Sequence, residues 1–163
     1  MQLSIKNREM TLVTYGCGDK LSRRKFKPIE NDTYRNKPDG GLWTSPYRSK
    51  WGWRKWGKVN QYGDFKTSFK LRFEGMLAVV DSKWHMDRLP WTLVKLPSLG
   101  GRAVTYYTLD FKKIADIGVD GIHLTVRGEQ ETRYSMGRIG KSLYGWDCET
   151  VLLFNLDCVT QIK

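Results

Sequence analysis

Trp146-Asp147-Cys148-Glu149-Thr150-Val151-Leu152-Leu153-Phe154-Asn155-Leu156 is the stretch on which the reading of the fold turns. Val151 to Phe154 is an unbroken apolar run of strand length, as expected of a strand buried on both faces. Glu149 opens that strand, where a carboxylate is costly to bury without a partner. Asp147 stands two residues earlier, and in extended chain the two carboxylates point to the same side. One reading gives the pair a chemical task. One carboxylate stabilises positive charge and the other orients or deprotonates a nucleophile. The other reading leaves both at the exposed mouth of a strand, and the pair alone does not choose.

Working outward, the remaining elements are short. Met10 to Tyr15 is β-branched and aromatic and ends at Gly16. Pro38-Asp39-Gly40-Gly41 is a turn signal that launches a strand over Gly41-Leu42-Trp43-Thr44-Ser45, stopped by Pro46. Thr67 to Phe73 alternates, and Met76 to Val80 reads as a separate buried strand. Asp81 or Ser82 can cap a helix through Leu89, and Asp110 one from Phe111 to Ile117, with Gly118 ending it. Gly121 to Val126 reads as a strand, and Arg127 to Tyr144 as a polar loop. This pattern predicts one α+β domain over residues 1–163, with two packed sheets and short helices at their edges.

The totals agree with a single globular domain. The chain has 163 residues, 40% apolar and 28% charged. No run approaches the roughly 18 apolar residues of a membrane span, and the N-terminus has no signal-peptide stretch. Cys17, Cys148 and Cys158 are odd in number and match no zinc spacing. Free thiols, a reducing cytoplasmic compartment, and no metal or membrane partner are therefore expected. The net charge of +11 is one-sided. Residues 1–70 hold 16 Lys and Arg against 6 Asp and Glu, and the rest hold 12 against 11. Such a block gathers anionic ligands and favours a polyanionic partner.

Three segments can carry chemistry. Tyr15-Gly16-Cys17-Gly18 ends a strand with glycines that admit close backbone approach. Gly41-Leu42-Trp43-Thr44-Ser45 adds a flat indole and two hydroxyls, fit either to clamp a planar ring or to form a hairpin around a core tryptophan. The third is Asp147-Cys148-Glu149. Taken in this order, the three resemble the ADP-ribosyltransferase superfamily. Tyr15 with Gly16 falls where that family has its first His or Arg motif. Gly41 to Ser45 is similar to its Gly-x-Tyr or Ser-Thr-Ser strand. Asp147-Cys148-Glu149 is similar to its Glu/Gln-x-Glu, and Asp120-Gly121-Ile122-His123-Leu124 resembles the strand leading to the loop before it. Tyr15 and Asp147 depart from the family's usual residues.

The resemblance, over about residues 10–156, implies a split two-sheet core around an NAD cleft. It implies NAD held by Tyr15, Gly16, Gly41, Leu42, Trp43, Thr44 and Ser45, with nicotinamide near Trp43. Thr44 or Ser45 would help hold the ribose and Glu149. Glu149 would bond the ribose 2′-hydroxyl and stabilise the oxocarbenium-like centre, with Asp147 beside it. By analogy with the family, a small NAD-consuming toxin or phage-type modifier fits the size and charge.

The acceptor is read from a different stretch. Tyr47 to Lys58 interleaves Trp51, Trp53 and Trp56 with Arg48, Lys50, Arg54, Lys55 and Lys58. Cations neutralise phosphates while indoles stack on unpaired bases. Arg23 and Arg24 add a second basic cluster. RNA or single-stranded DNA is the expected acceptor. One or two of the tryptophans are expected in the core, since Trp53 and Trp56 are three apart on a helix. Glu129, Glu131, Tyr134 and Tyr144 are candidates for reading the acceptor. Two alternatives stay open: a non-catalytic nucleic-acid-binding module with a structural Glu149, and a transferase acting on a protein. A nuclease built on His85 and Asp87 is a weaker rival, and His123, in an apolar run, reads as a core residue.

Overall fold

The computed structural model describes residues 3–97, 101, 103–135 and 140–163. It is a mixed α+β structure, mostly strand. The longest elements are β1 (Ile5–Tyr15) and β3 (Ser68–Val80), antiparallel along eleven residue pairs from Ile5↔Ala78 to Tyr15↔Ser68. The two strands expected at 67–73 and 76–80 are thus one. Gly75 does not interrupt it. A Cβ there would lie 2.4 Å from Asp120 Oδ2, and the missing side chain lets that carboxylate accept from Met76 N–H at 2.8 Å.

At Gly75 the far edge of β3 changes partner. Lys70–Phe73 pair antiparallel with β8 (Val159–Ile162), and Leu77–Val80 pair parallel with β6 (Gly121–Leu124). β6 pairs with β7 (Thr150–Leu153), β7 with β2 (Leu42–Pro46), and β2 with β1. The ring β1-β2-β7-β6-β3 therefore closes on itself, with β8 attached outside. In place of two packed sheets there is one closed sheet and a separate hairpin, β4 (Trp91–Leu96) with β5 (Val104–Leu109). A strand as long as β3 can serve both β1 and β6 while still pairing with β8, which is what closure requires.

Period-two alternation sorts the side chains. Leu12, Leu42, Leu71, Phe73, Leu77, Val79, Val151 and Leu153 meet in one apolar cluster drawn from β1, β2, β3 and β7, which places it inside the ring. Ala78, Val80 and Leu152, sequence neighbours of these residues, face outward with Ile122 and Leu124 of β6 into a second cluster. There they meet Met86 of α2 (Lys83–Asp87), Phe111 and Ile114 of α3 (Phe111–Asp116), and Trp146.

The expected caps are present. Ser82 accepts from His85 N–H, Asp110 accepts from Lys113 N–H, and Gly118 follows α3 at φ +88°. α1 (Trp53–Val59) holds the tryptophan-rich stretch. The segment expected as a loop after residue 126 instead begins as α4 (Val126–Thr132), capped by Thr125, whose hydroxyl accepts from Gly128 N–H. Gly128 weakens the helical signal in sequence. It is needed because a Cβ there would lie 2.0 Å from the Val80 carbonyl. Residues 136–139 of that expected loop lie outside the described residues. Among the described residues no helix is long and apolar enough to cross a membrane.

Candidate functional site

A cleft of about 400 Å³, within the usual range for ligand sites, opens where β1 and β2 leave the ring. Tyr15, Trp43, Thr44, Ser45, Trp53 and Asp147 line it, with Arg35, Lys37 and Asp39 from the loop before β2. Of the expected cofactor residues, Tyr15, Trp43, Thr44 and Ser45 are therefore brought together, and Asp147 joins them from more than 100 residues away. Gly16, Gly41 and Leu42 are not in the lining. Gly16 turns the chain at φ +72° and donates to the Thr67 carbonyl. Gly41, at φ +70°, sits where a Cβ would meet Ile29 and Leu152 side chains within 2.8 Å, so close packing fixes it as glycine. Leu42 faces the ring interior.

Trp43 forms one wall. Its ring meets Trp146 edge-on at 4.9 Å, and the Lys37 ammonium lies 5.8 Å from its centre. Asp147 is held by Arg133, whose Nη2 lies 2.8 Å from Asp147 Oδ1. The same guanidinium reaches Glu129 Oε1 at 3.2 Å, one turn away on α4. Glu129 is buried. Burial raises its pKa, opposed by the hydrogen bond and charge of Arg133. Nothing in the local pattern marks Arg133 for this role, because the role depends on a helix that reads as loop.

Glu149 lies behind the cleft, not in it. β7 begins at Thr150, so residues 147–149 are not a ladder strand, and the two carboxylates do not share a side. Asp147 turns to Arg133, while Glu149 Oε1 lies 3.0 Å from His123 Nε2. Burial alone would raise the Glu149 pKa, but hydrogen bonds from His123 and Ser49 hold it below the usual glutamate range. His123 is thus a partner of Glu149 and not a plain core residue. Its Nδ1 is buried and, among the described residues, has no hydrogen-bond partner.

The hydroxyls of the second motif are engaged with backbone. Thr44 donates to the Val151 carbonyl at 2.7 Å. Ser45 donates to the Glu149 carbonyl at 3.0 Å and accepts from Trp53 N–H at 2.9 Å. Ser45 therefore ties the start of α1 and the approach to β7 to one point. Glu149 N–H donates to the Trp51 carbonyl at 2.9 Å, so the segment from Ser49 to Gly52 closes over Glu149.

The basic stretch divides. Trp53 and Trp56 stack on each other at 5.1 Å, with Tyr62 edge-on to both. Trp51 is half-buried. Arg48, Lys50, Arg54, Lys55 and Lys58 are exposed. Arg23 and Arg24 lie in a 3-10 turn (Arg23–Lys25) where Arg23 donates to the Leu156 carbonyl and pairs with Asp157, beside β8. Tyr134 and Tyr144 are exposed, their rings 6.2 Å apart, whereas Glu131 is committed to Arg127 and the Lys83 N–H. His85 bonds Ser82 Oγ, and Asp87 pairs with Lys83, so the His85/Asp87 pair serves α2. Among the described residues no group of three or more His, Cys, Asp or Glu could hold a metal. The three cysteines are free. Burial pushes the Cys148 thiol up to about 11 and that of Cys158 to about 12.

No protein-family model, curated protein or solved structure matches the chain.

Proposed function

We propose that the protein transfers ADP-ribose from NAD to a nucleic-acid acceptor, RNA or single-stranded DNA. The observation that carries this reading is the convergence of the three motif segments. Tyr15, the Trp43–Ser45 strand and Asp147, with Glu149 behind them, meet at one cleft although they are spread over the chain. The charges of the cleft support it. NAD joins a cationic nicotinamide to a pyrophosphate, and the cleft offers carboxylates at Asp39 and Asp147 beside cations at Arg35 and Lys37. Trp43 supplies a flat apolar wall for a ring.

In this reading nicotinamide stacks near Trp43. The Glu149 carboxylate binds the ribose 2′-hydroxyl and stabilises the positive centre left as nicotinamide departs. A well-placed group of this kind is worth about 3–4 kcal/mol. The carboxylate must exchange its bonds to His123 and Ser49 for the ribose, so ligand binding has to displace the Ser49–Gly52 segment.

One observation favours a second reading, a non-catalytic nucleic-acid-binding module. Glu149 is already partnered by His123 and stands outside the lining of the cleft. Incubation with labelled NAD and RNA, single-stranded DNA or protein separates the two. Transfer that disappears in Glu149→Gln supports the transferase and names its acceptor, including a protein one. No nicotinamide release from the wild-type protein, with salt-sensitive nucleic-acid binding intact, establishes the binding module instead.

A further inference from the structure

A second groove, about 520 Å³, opens beside the first over the start of α1. Val13, Tyr15, Ser45 and Trp53 line both, so these residues form a shared wall. Charge distinguishes the two sides. The first cleft balances Arg35 and Lys37 against Asp39 and Asp147. The second has Arg54, Lys55 and Lys58 and no carboxylate in its lining. Among the described residues, none of these three cations forms an ion pair. Arg54 stands close enough to the Tyr15 hydroxyl in the shared wall for its positive charge to oppose the rise that burial gives the Tyr15 pKa.

The groove also has aromatic surface held in place. Trp53 is braced by its stack on Trp56 and by the edge of Tyr62, which fixes its orientation. Tyr47, half-exposed at 53%, stands on the rim. Cations spaced along one short helix beside fixed aromatic faces suit a chain of phosphates carrying unpaired bases. An acidic peptide would satisfy the cations and leave Tyr47 and Trp53 unused. A duplex keeps its base faces stacked away from them.

We infer that this second groove binds the backbone of single-stranded nucleic acid, with phosphates on Arg54, Lys55 and Lys58 and bases against Tyr47 and Trp53, separately from the cleft of Trp43 and Asp147. The binding stands by itself. Its role as the acceptor's site rests on the transferase reading. There, Tyr15 and Ser45 are the partition across which donor and acceptor meet.

The test is fluorescence anisotropy of a labelled twelve-nucleotide single-stranded RNA with the full chain at several salt concentrations. Lys55→Glu/Lys58→Glu is compared with Lys6→Glu/Lys163→Glu, which makes the same change of net charge outside the groove. Circular dichroism checks the folding of each. The groove variant is expected to bind at least about tenfold more weakly, with a salt slope shallower by about 1.4, while the distant variant keeps both within about twofold and a few tenths. Tyr47→Ala is expected to weaken binding severalfold with the salt slope unchanged. Equal loss in both charge variants overturns the site, as does equal affinity for a duplex of the same length or full displacement by polyglutamate. Nicotinamide release is measured in parallel. Its absence removes the acceptor role and leaves the anisotropy result to decide the groove.

Discussion

His123 Nε2 and Glu149 Oε1 lie 3.0 Å apart, joining β6 to the residue that precedes β7. Both side chains are largely withdrawn from solvent, at 9% and 14% exposed. Glu149 is thereby held ionised in a place where an unpartnered carboxylate would be costly.

The pair makes stability depend on acid. The folded pKa of Glu149 is lowered, so its stabilising contribution is whole above the ordinary glutamate pKa of about 4.3 and is lost as pH falls through the lower folded value. Glu129 acts oppositely. Its raised pKa gives a contribution that is whole below the ordinary value and is lost as pH rises through the folded one. Glu149→Gln is expected to cost about 1 kcal/mol at pH 7, the difference between a charged and a neutral hydrogen bond. The gap to wild type should narrow as pH falls from 7 through the ordinary glutamate value of about 4.3 and close only beneath the lowered folded pKa. Urea midpoints across that range measure it, and a gap that persists in acid would show that the carboxylate's charge is not what matters.

Arg133 carries two carboxylates, Glu129 and Asp147. Arg133→Ala strands a buried Glu129 and should cost about 3 kcal/mol. Arg133→Ala/Glu129→Gln should recover part of that loss, because the stranded charge is gone. If the double variant is no more stable than the single one, Glu129 is not the group that Arg133 compensates.

Gly128→Ala tests the contact between α4 and β3. In an ordinary helix interior this change stabilises by up to about 1 kcal/mol. Here the new methyl would lie 2.0 Å from the Val80 carbonyl. The expected outcome is a loss of about 2 kcal/mol, read from the denaturant midpoint. A gain in stability would mean that α4 does not press on β3.

Trp43→Ala removes the flat wall of the cleft. On the proposed transferase reading, NAD affinity measured by calorimetry should fall about tenfold, and Trp43→Phe should restore most of it. Equal affinities for all three proteins would rule Trp43 out as a stacking surface.

Local pattern was enough for much of the secondary structure. The apolar run at Val151–Leu153, the alternation of Phe69, Leu71 and Phe73, and the caps Ser82 and Asp110 are one-residue or two-residue-period signals, and the chain obeys them. The same reading passed over the β4–β5 hairpin and α4. α4 contains a glycine that only its contact with Val80 explains. The break read at Gly75 failed for the same reason, since the glycine makes room for Asp120 from elsewhere in the chain.

The candidate site divides in the same way. Sequence alone determined that the protein is a basic α+β chain with aromatic, hydroxyl and carboxylate residues at three suggestive points, because composition and short periods are local properties. Tertiary structure alone decided that Tyr15, Trp43, Ser45 and Asp147 share a cleft, that Glu149 faces His123, and that Arg54, Lys55 and Lys58 flank a separate groove. A side chain's direction at the end of a strand is set by what closes around it. Here that is ring closure through β3 and the folding of Ser49–Gly52 over Glu149, and both depend on pairings between distant parts of the chain.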